Sequence, residues 1–261
     1  MREAGDGNRL SLAPAQRAAA DAGQKAMVPI AGADGLERPF LDYVLSALAD
    51  AGFRKVCLVI GDEQEAWRRR YEAVQPARIR IAWAVQHEPR GTADAVRAAE
   101  AFVAARPFVV INADNLYPVD GLRQLLALEG PGLLVFERDE LARSSGIPLE
   151  RLAAFAMPLL TPDHTLADIV EKPGVEALLA AGPGAPVSMN AWKFDPRIFA
   201  ACREVSPSAR GEFELPDAVR LAMDRGVRFR AIVARGPVLD LTRRADIANV
   251  AAMLRDVQVR L

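Results

Sequence analysis

The sequence predicts an α/β fold: a mixed, mainly parallel doubly wound sheet flanked by helices, Rossmann-like, forming one domain over residues 1–261. Three observations predict it. Short apolar runs alternate with segments of helical period through the first half. Hydrophobic residues make up 51% of the chain, enough for a substantial core. No repeat or long linker divides it.

In RPFLDYVLSALADAG, Phe40, Leu41, Val44, Leu45 and Leu48 recur on one helical face, and Gly52 is placed to end the helix. KVCLVIG, IRIAWAV, PFVVIN and GLLVF read as strands, with GTADAVRAAEAFVAA and PVDGLRQLLAL as helices between them. FAMPLLTPDHTLADIVEK reads as two strands about a turn at 161–164, and PVSMNAWKF as one strand with alternating faces. DPRIFAACREV and ELPDAVRLAMDRG read as helices, VRFRAIVA as a strand and RRADIANVAAMLRDV as a terminal helix. Residues 15–24 and 180–186 are expected to be the loosest stretches.

Composition excludes several classes. A net charge of −1 argues against a nucleic-acid partner, which calls for a basic face. No apolar run reaches the roughly 20 residues of a membrane span, and no signal-peptide core is present, so a cytoplasmic chain is expected. Cys57 and Cys202 lack metal-site spacing, and Cys57 reads as a buried free thiol. His87 and His164 read as exposed loop residues. Of 33 basic side chains only four are lysines, Lys25, Lys55, Lys172 and Lys193. Lysine and arginine are not interchangeable at phosphate sites, so these four are candidates for function.

Ligands in open α/β sheets bind beyond the carboxyl ends of the strands. In AGDGNRL, Gly5 and Gly7 would let backbone N–H groups approach phosphate, and Arg9 could pair with it; a glycine-containing tail is the alternative. Lys25 precedes an apolar stretch. Asp114 follows PFVVIN, where a carboxylate could hold Mg²⁺ on phosphate oxygens or simply form an Asx turn. Asp240, in VLDLT, repeats that geometry, with helix capping as its alternative. Glu171 and Lys172 end a strand ahead of Pro173, and Arg210 with Gly211 precedes a helix. Gln86 offers an amide able to read a base edge, and Gly91 stands at a helix start.

In this order the motifs resemble the sugar-1-phosphate nucleotidylyltransferases, the family that includes the glucose-1-phosphate thymidylyl- and uridylyltransferases. AGDGNRL and QK stand where the family has AGxGTRL and PK. Gln86, Pro89 and Gly91 match its QxxPxG loop, and Asp114 with Asn115 matches its GDN. EKP is intact, and residues 208–217 match SARGExE(L/I)xD. Asn8, Gln24, Ala113, Ala156 and Leu241 depart from the family pattern, and Ala156 puts the identity of the sugar in doubt.

The resemblance implies transfer of a nucleoside monophosphate from an NTP, UTP or dTTP, to a hexose 1-phosphate, releasing pyrophosphate. It assigns Mg²⁺ to Asp114 and Asp240, and the triphosphate to Arg9 and Lys25. Gly5, Gly7, Gln86 and Gly91 would bind the nucleotide. Asn115, Glu171, Lys172, Asn190 and Arg210 would bind the sugar phosphate. A homo-oligomer is compatible with this reading. A mannose-1-phosphate guanylyltransferase-like enzyme and a non-catalytic nucleotide or nucleotide-sugar binding module are the alternatives; a cytidylyltransferase for a non-sugar phosphate fits EKP and SARGE less well. The resemblance also implies a first, central strand whose last positions fall on Met1, Arg2 and Glu3, where Arg2 and Glu3 suit a buried strand badly. The expectation is a start placed downstream of the natural one; the alternative is a protein that tolerates a groove in its sheet.

Overall fold

Helix Phe40–Ala51 forms where the apolar period requires it, and eleven of its residues are buried, well beyond a single stripe. It stops at Gly52, whose φ of 106° sends its N–H back to the carbonyls of Leu48 and Ala49. The computed structural model describes residues 12–261. The loop of Gly5, Gly7 and Arg9, and the strand expected ahead of it, lie outside the described residues.

Strand Lys55–Ile60 leads through helix Glu65–Val74 to strand Arg80–Val85, and the two strands pair in parallel. The larger sheet is built around Gly132–Glu137. That strand pairs in parallel with Arg230–Val233, and antiparallel with Trp192–Phe194 and Pro186–Val187. Trp192–Phe194 in turn pairs antiparallel with Phe108–Val110. The sheet is thus mixed, as expected, with more antiparallel pairings than strict helix–strand alternation suggests. Gly132 is required at the parallel crossing, because a Cβ there would lie 2.3 Å from the carbonyl oxygen of Arg230. Trp192, Phe194 and Phe229 pack edge to face at ring separations of 6.0 and 5.9 Å, forming one apolar cluster. The other gathers around helix Phe40–Ala51.

Several expectations need correcting. PVSMNAWKF is two short strands, since Asn190 takes a left-handed φ of 62° between them. The helix expected over GTADAVRAAEAFVAA breaks at Ala99 into Thr92–Ala98 and Glu100–Val103. Residues 15–24 are not loose: Pro14–Asp21 is a helix with proline in its first turn and Ala20 fully buried. Cys57 is half-buried rather than buried, although burial still pushes its thiol up to about 11. Cys202 is buried, and both histidines are exposed. The turn at 161–164 joins strands Met157–Leu160 and Leu166–Val170 as expected. Among the described residues, no helix is long and apolar enough to cross a membrane.

Among the described residues the sheet has an interruption. Among the described residues, Lys55–Ile60 pairs only with Arg80–Val85, and Phe108–Val110 only with Trp192–Phe194. A cavity of about 860 Å³ is lined by both of these strands. Helix Phe40–Ala51 and the helices spanning Thr92–Val103 also line it.

Candidate active site

Two carboxylates are brought together by a short strand pairing. Asn115–Leu116 runs antiparallel to Leu239–Asp240, with Asp240 opposite Asn115. The Leu241 N–H donates to the Asp114 carbonyl at 3.0 Å, which closes that ladder. Asp114 and Asp240 therefore stand side by side although 126 positions separate them in the chain. Lys25, on a short 3₁₀ turn, donates its Nζ to the Asp114 carboxylate at 3.1 Å. Lys25, Asp114 and Asn190 all line the polar end of the cavity in the sheet. Beneath them the Tyr117 hydroxyl donates to the Met189 carbonyl at 2.5 Å, tying the loop before Asn190 to the segment after Asp114. Burial and the charge of Asp114 push the Tyr117 hydroxyl well above its ordinary range.

Asp240 is almost wholly buried, and both of its oxygens are engaged. Arg151 Nη2 donates to one at 2.5 Å and the Thr242 hydroxyl to the other at 2.6 Å. Arg151 also donates to Asp246, so one buried guanidinium bridges two carboxylates. Burial raises the Asp240 carboxyl, and so does the neighbouring charge of Asp114, while Arg151 and Thr242 pull it down. Asp114 and Asp240 form a pair of hard oxygen donors, the kind of protein contribution that Mg²⁺ takes when substrate phosphates complete its shell. Here their partners are Lys25 and Arg151. Asn115 is buried with its Nδ2 unpartnered.

The base-reading candidates also meet. Gln86 Nε2 donates to the Gly91 carbonyl and to Asp94 Oδ2, each at 3.0 Å. Gly91 adopts φ 119°, and a Cβ there would lie 2.5 Å from the Phe213 carbonyl oxygen. That proximity exists because the two loops are stitched together: Phe213 N–H donates to the Arg90 carbonyl, Ala93 N–H to the Phe213 carbonyl, and Leu215 N–H to the Thr92 hydroxyl.

The remaining candidates lie on this stitched segment or beside it, at the end of strand Leu166–Val170. Arg210 donates to Glu214 at 2.8 Å. Glu171 lies close enough to Glu214, Arg220, Lys172 and Asp217 to feel their charges. Its carboxyl is raised, first by burial and then by Glu214, and its Oε1 is buried without a partner. Lys172 is exposed and holds a left-handed φ of 46°, uncommon for a residue with a Cβ. Lys193, a candidate by its rarity alone, is buried and donates to the carbonyls of Leu126 and Leu128 at 2.7 and 2.5 Å, satisfying the end of a helix.

The structure thus forms one group from Lys25, Asp114, Asn115, Asn190 and Asp240, a second from Gln86 and Gly91, and a third from Glu171, Lys172 and Arg210. Sequence reasoning missed Arg151, Asp94 and Tyr117. Arg151 carries no motif; only the burial of Asp240, which demands a countercharge, could have called for it.

In an open α/β sheet, charged groups gathered beyond the strand ends mark the place where ligands bind. The nucleotidyl transferase family model matches residues 5–254, and the chain belongs to that family. It is 27% identical over 226 residues to a glucose-1-phosphate thymidylyltransferase of Streptomyces antibioticus, covering 86% of this chain and 60% of that protein. It is 26% identical over 221 residues to the UTP–glucose-1-phosphate uridylyltransferase AglF of Haloferax volcanii, covering 83% and 82%. The chain spans about three fifths of the length of the first of these relatives. Its fold is that of a UDP-glucose pyrophosphorylase complexed with UDP-glucose, at a TM-score of 0.68 and 19% identity over 88% of this chain and 89% of the other. A UTP-bound UGPase from Acinetobacter baumannii is similar at a TM-score of 0.65 and 17% identity, over 88% and 85%.

Proposed function

We propose that the chain, acting as one domain, transfers a nucleoside monophosphate from UTP or dTTP to a hexose 1-phosphate, giving a nucleotide-sugar and pyrophosphate. The observation that carries the reading is the Lys25–Asp114 pair beside Asp240 at the strand ends of a nucleotidyl transferase. The named relatives act on glucose 1-phosphate, which supports the substrate class.

In this reaction a sugar-phosphate oxygen attacks the α-phosphorus in line and pyrophosphate leaves. Two anions must approach, so positioning and charge stabilisation dominate. Lys25 would leave Asp114 for the triphosphate. Asp114 and Asp240 would hold Mg²⁺, which when bound supplies positive charge to the phosphate oxygens. Arg9 would join Lys25 at the triphosphate. Lys172 and Arg210 would grip the sugar phosphate, while Glu171 accepts a sugar hydroxyl and Asn115 and Asn190 help to position that substrate. Gln86, already oriented by Gly91 and Asp94, keeps its amide oxygen available to a base edge. Gly5, Gly7 and the Gly91 backbone would complete the nucleotide site.

Pyrophosphate release measured with Mg²⁺, over a grid of nucleoside triphosphates against sugar 1-phosphates, tests the proposal. Turnover for one uridine or thymidine pair is expected. Turnover only with GTP and mannose 1-phosphate would replace the substrate assignment. Silence with retained nucleotide binding would replace the enzyme with a binding module.

A further inference from the structure

We propose that Lys25 and Arg151 form an electrostatic gate on the carboxylate pair: they keep Asp114 and Asp240 from holding a divalent cation until a nucleoside triphosphate draws Lys25 away. The gate rests on the reaction proposed above and adds a control to its metal site. Two observations carry it. Each carboxylate already faces a cation, with Lys25 Nζ at 3.1 Å from Asp114 and Arg151 Nη2 at 2.5 Å from Asp240. Among the described residues, no group of three or more Asp, Glu, His or Cys side chains is placed to hold a metal ion. Two carboxylates that share their charge with two cations offer a divalent ion little net attraction. Oxygens brought by a triphosphate supply the ligands that the side chains lack.

The two cations differ in how they are held. Arg151 is fixed. Its side chain is only 8% exposed, and it bridges Asp240 to Asp246, whose other oxygen accepts the Arg243 N–H at 2.6 Å. The Thr242 hydroxyl holds the second oxygen of Asp240, which keeps that carboxylate against the guanidinium. Withdrawing Arg151 would strand two carboxylates, one of them almost wholly buried, at a heavy cost. Lys25 is held far less firmly. Its side chain is 33% exposed, and it stands on a three-residue turn beside the cavity with Asp114 as its carboxylate partner. An ion pair this exposed is weak. A triphosphate, with several negative charges, outcompetes one carboxylate for the ammonium.

The charges set the sign of each effect. Lys25 and Arg151 face three carboxylates, Asp114, Asp240 and Asp246, so the group carries one net negative charge. Once Lys25 moves to the phosphates, the residues left behind gain a second negative charge and Asp114 is open. Replacing Lys25 by a neutral side chain reaches that state with no nucleotide. Replacing Arg151 by glutamine also removes one positive charge, while an amide N–H remains to donate to Asp240. Either change should strengthen binding of a divalent ion at least ~tenfold, the scale of removing a unit charge close to a doubly charged ion in water. A damaged fold lowers affinity, so a gain separates this role from a structural one.

The experiment is Mn²⁺ binding followed by water-proton relaxation, which separates protein-bound Mn²⁺ from the free ion and from Mn²⁺ on free nucleotide. Wild type, Lys25→Met, Arg151→Gln and the charge-keeping Lys25→Arg and Arg151→Lys are titrated alone and with UTP or dTTP. Without nucleotide, both neutral variants should bind Mn²⁺ at least ~tenfold more tightly than wild type, and the charge-keeping variants should match wild type. Adding Asp114→Asn to Lys25→Met should abolish the gain. With triphosphate, wild type should take up Mn²⁺ strongly, and Lys25→Met should gain less from it. Lys25→Met, at a partly exposed position, decides the matter should Arg151→Gln fail to fold. Wild type binding Mn²⁺ equally well with and without triphosphate would overturn the proposal. A gain in the charge-keeping variants would do the same, since charge would not be its cause. Folded neutral variants no tighter than wild type would also overturn it; with wild type still taking up Mn²⁺ beside a triphosphate, the gate falls and the proposed reaction stands. Wild type that takes up no Mn²⁺ with either triphosphate would overturn both.

Discussion

Asp114 and Glu171 illustrate opposite ways in which one carboxylate is held. Asp114 is partly exposed and paired with Lys25, so a substrate phosphate can take the lysine without leaving a buried charge behind. Asp114→Asn should lower pyrophosphate release by at least ~100-fold, the scale of a lost electrostatic contact. Circular dichroism should be unchanged, and near-normal turnover would remove Asp114 from the site. Glu171 is held at a cost. Burial raises its carboxyl and Glu214 raises it further, so the folded state keeps the proton to higher pH than the unfolded chain does. The favourable contribution of that group is complete below the unfolded value and disappears as pH rises through the folded one. Ionised Glu171 therefore opposes folding at neutral pH. Glu171→Gln should raise Tm at pH 7, and the gain should vanish near pH 4, about where the unfolded carboxyl titrates. Melting curves at the two pH values decide it. An unchanged or lower Tm at pH 7 would show that Arg220, Lys172 and solvent compensate the charge.

At the scale of elements, the 86–94 and 210–215 loops work as one unit. Gly91 is the point of closest approach, with its left-handed φ and the Phe213 carbonyl where a Cβ would go. Gly91→Ala should cost about 1–3 kcal/mol, through backbone strain and displacement of Phe213. A denaturant midpoint lowered by that amount, with weaker nucleotide binding, is the expected result; wild-type stability would mean that the two loops separate freely. Sequence reading recovered this region unevenly. Gln86, Pro89, Gly91 and the SARGE segment were legible as separate motifs, because each has a local chemistry. Their stitching was not, since Phe213 and Arg90 carry no pattern and lie 123 positions apart. Helix Phe40–Ala51 was legible to its last residue because an apolar period and a terminal glycine agree. PVSMNAWKF was misread as one strand because alternation cannot reveal that Asn190 turns left-handed.

Across the whole molecule, the site joins segments from both ends of the chain: Lys25 near the start, Asp114 in the middle, and Asp240 near the end. Ligand binding to such a site should resist global unfolding. A UTP or dTTP concentration 100-fold above Kd, with Mg²⁺ present, should add about 2.7 kcal/mol and move Tm up by several degrees. A melt insensitive to every triphosphate would count against a nucleotide site of any kind. Asp114→Asn should lose the metal-dependent part of the shift.

The sequence by itself determined the α/β class, most helices and strands, and the candidate phosphate-binding groups, because periodicity, glycine placement and motif chemistry are local. Only the tertiary structure decided which of those groups meet. It set Lys25 on Asp114 and enclosed Asp240 between Arg151 and Thr242. It made Lys193 a structural lysine and, among the described residues, set the edges of Lys55–Ile60 and Phe108–Val110 along one cavity. Those outcomes depend on burial and on pairings distant in sequence, where the cost of an unpartnered charge or backbone group is set by whatever the fold brings beside it.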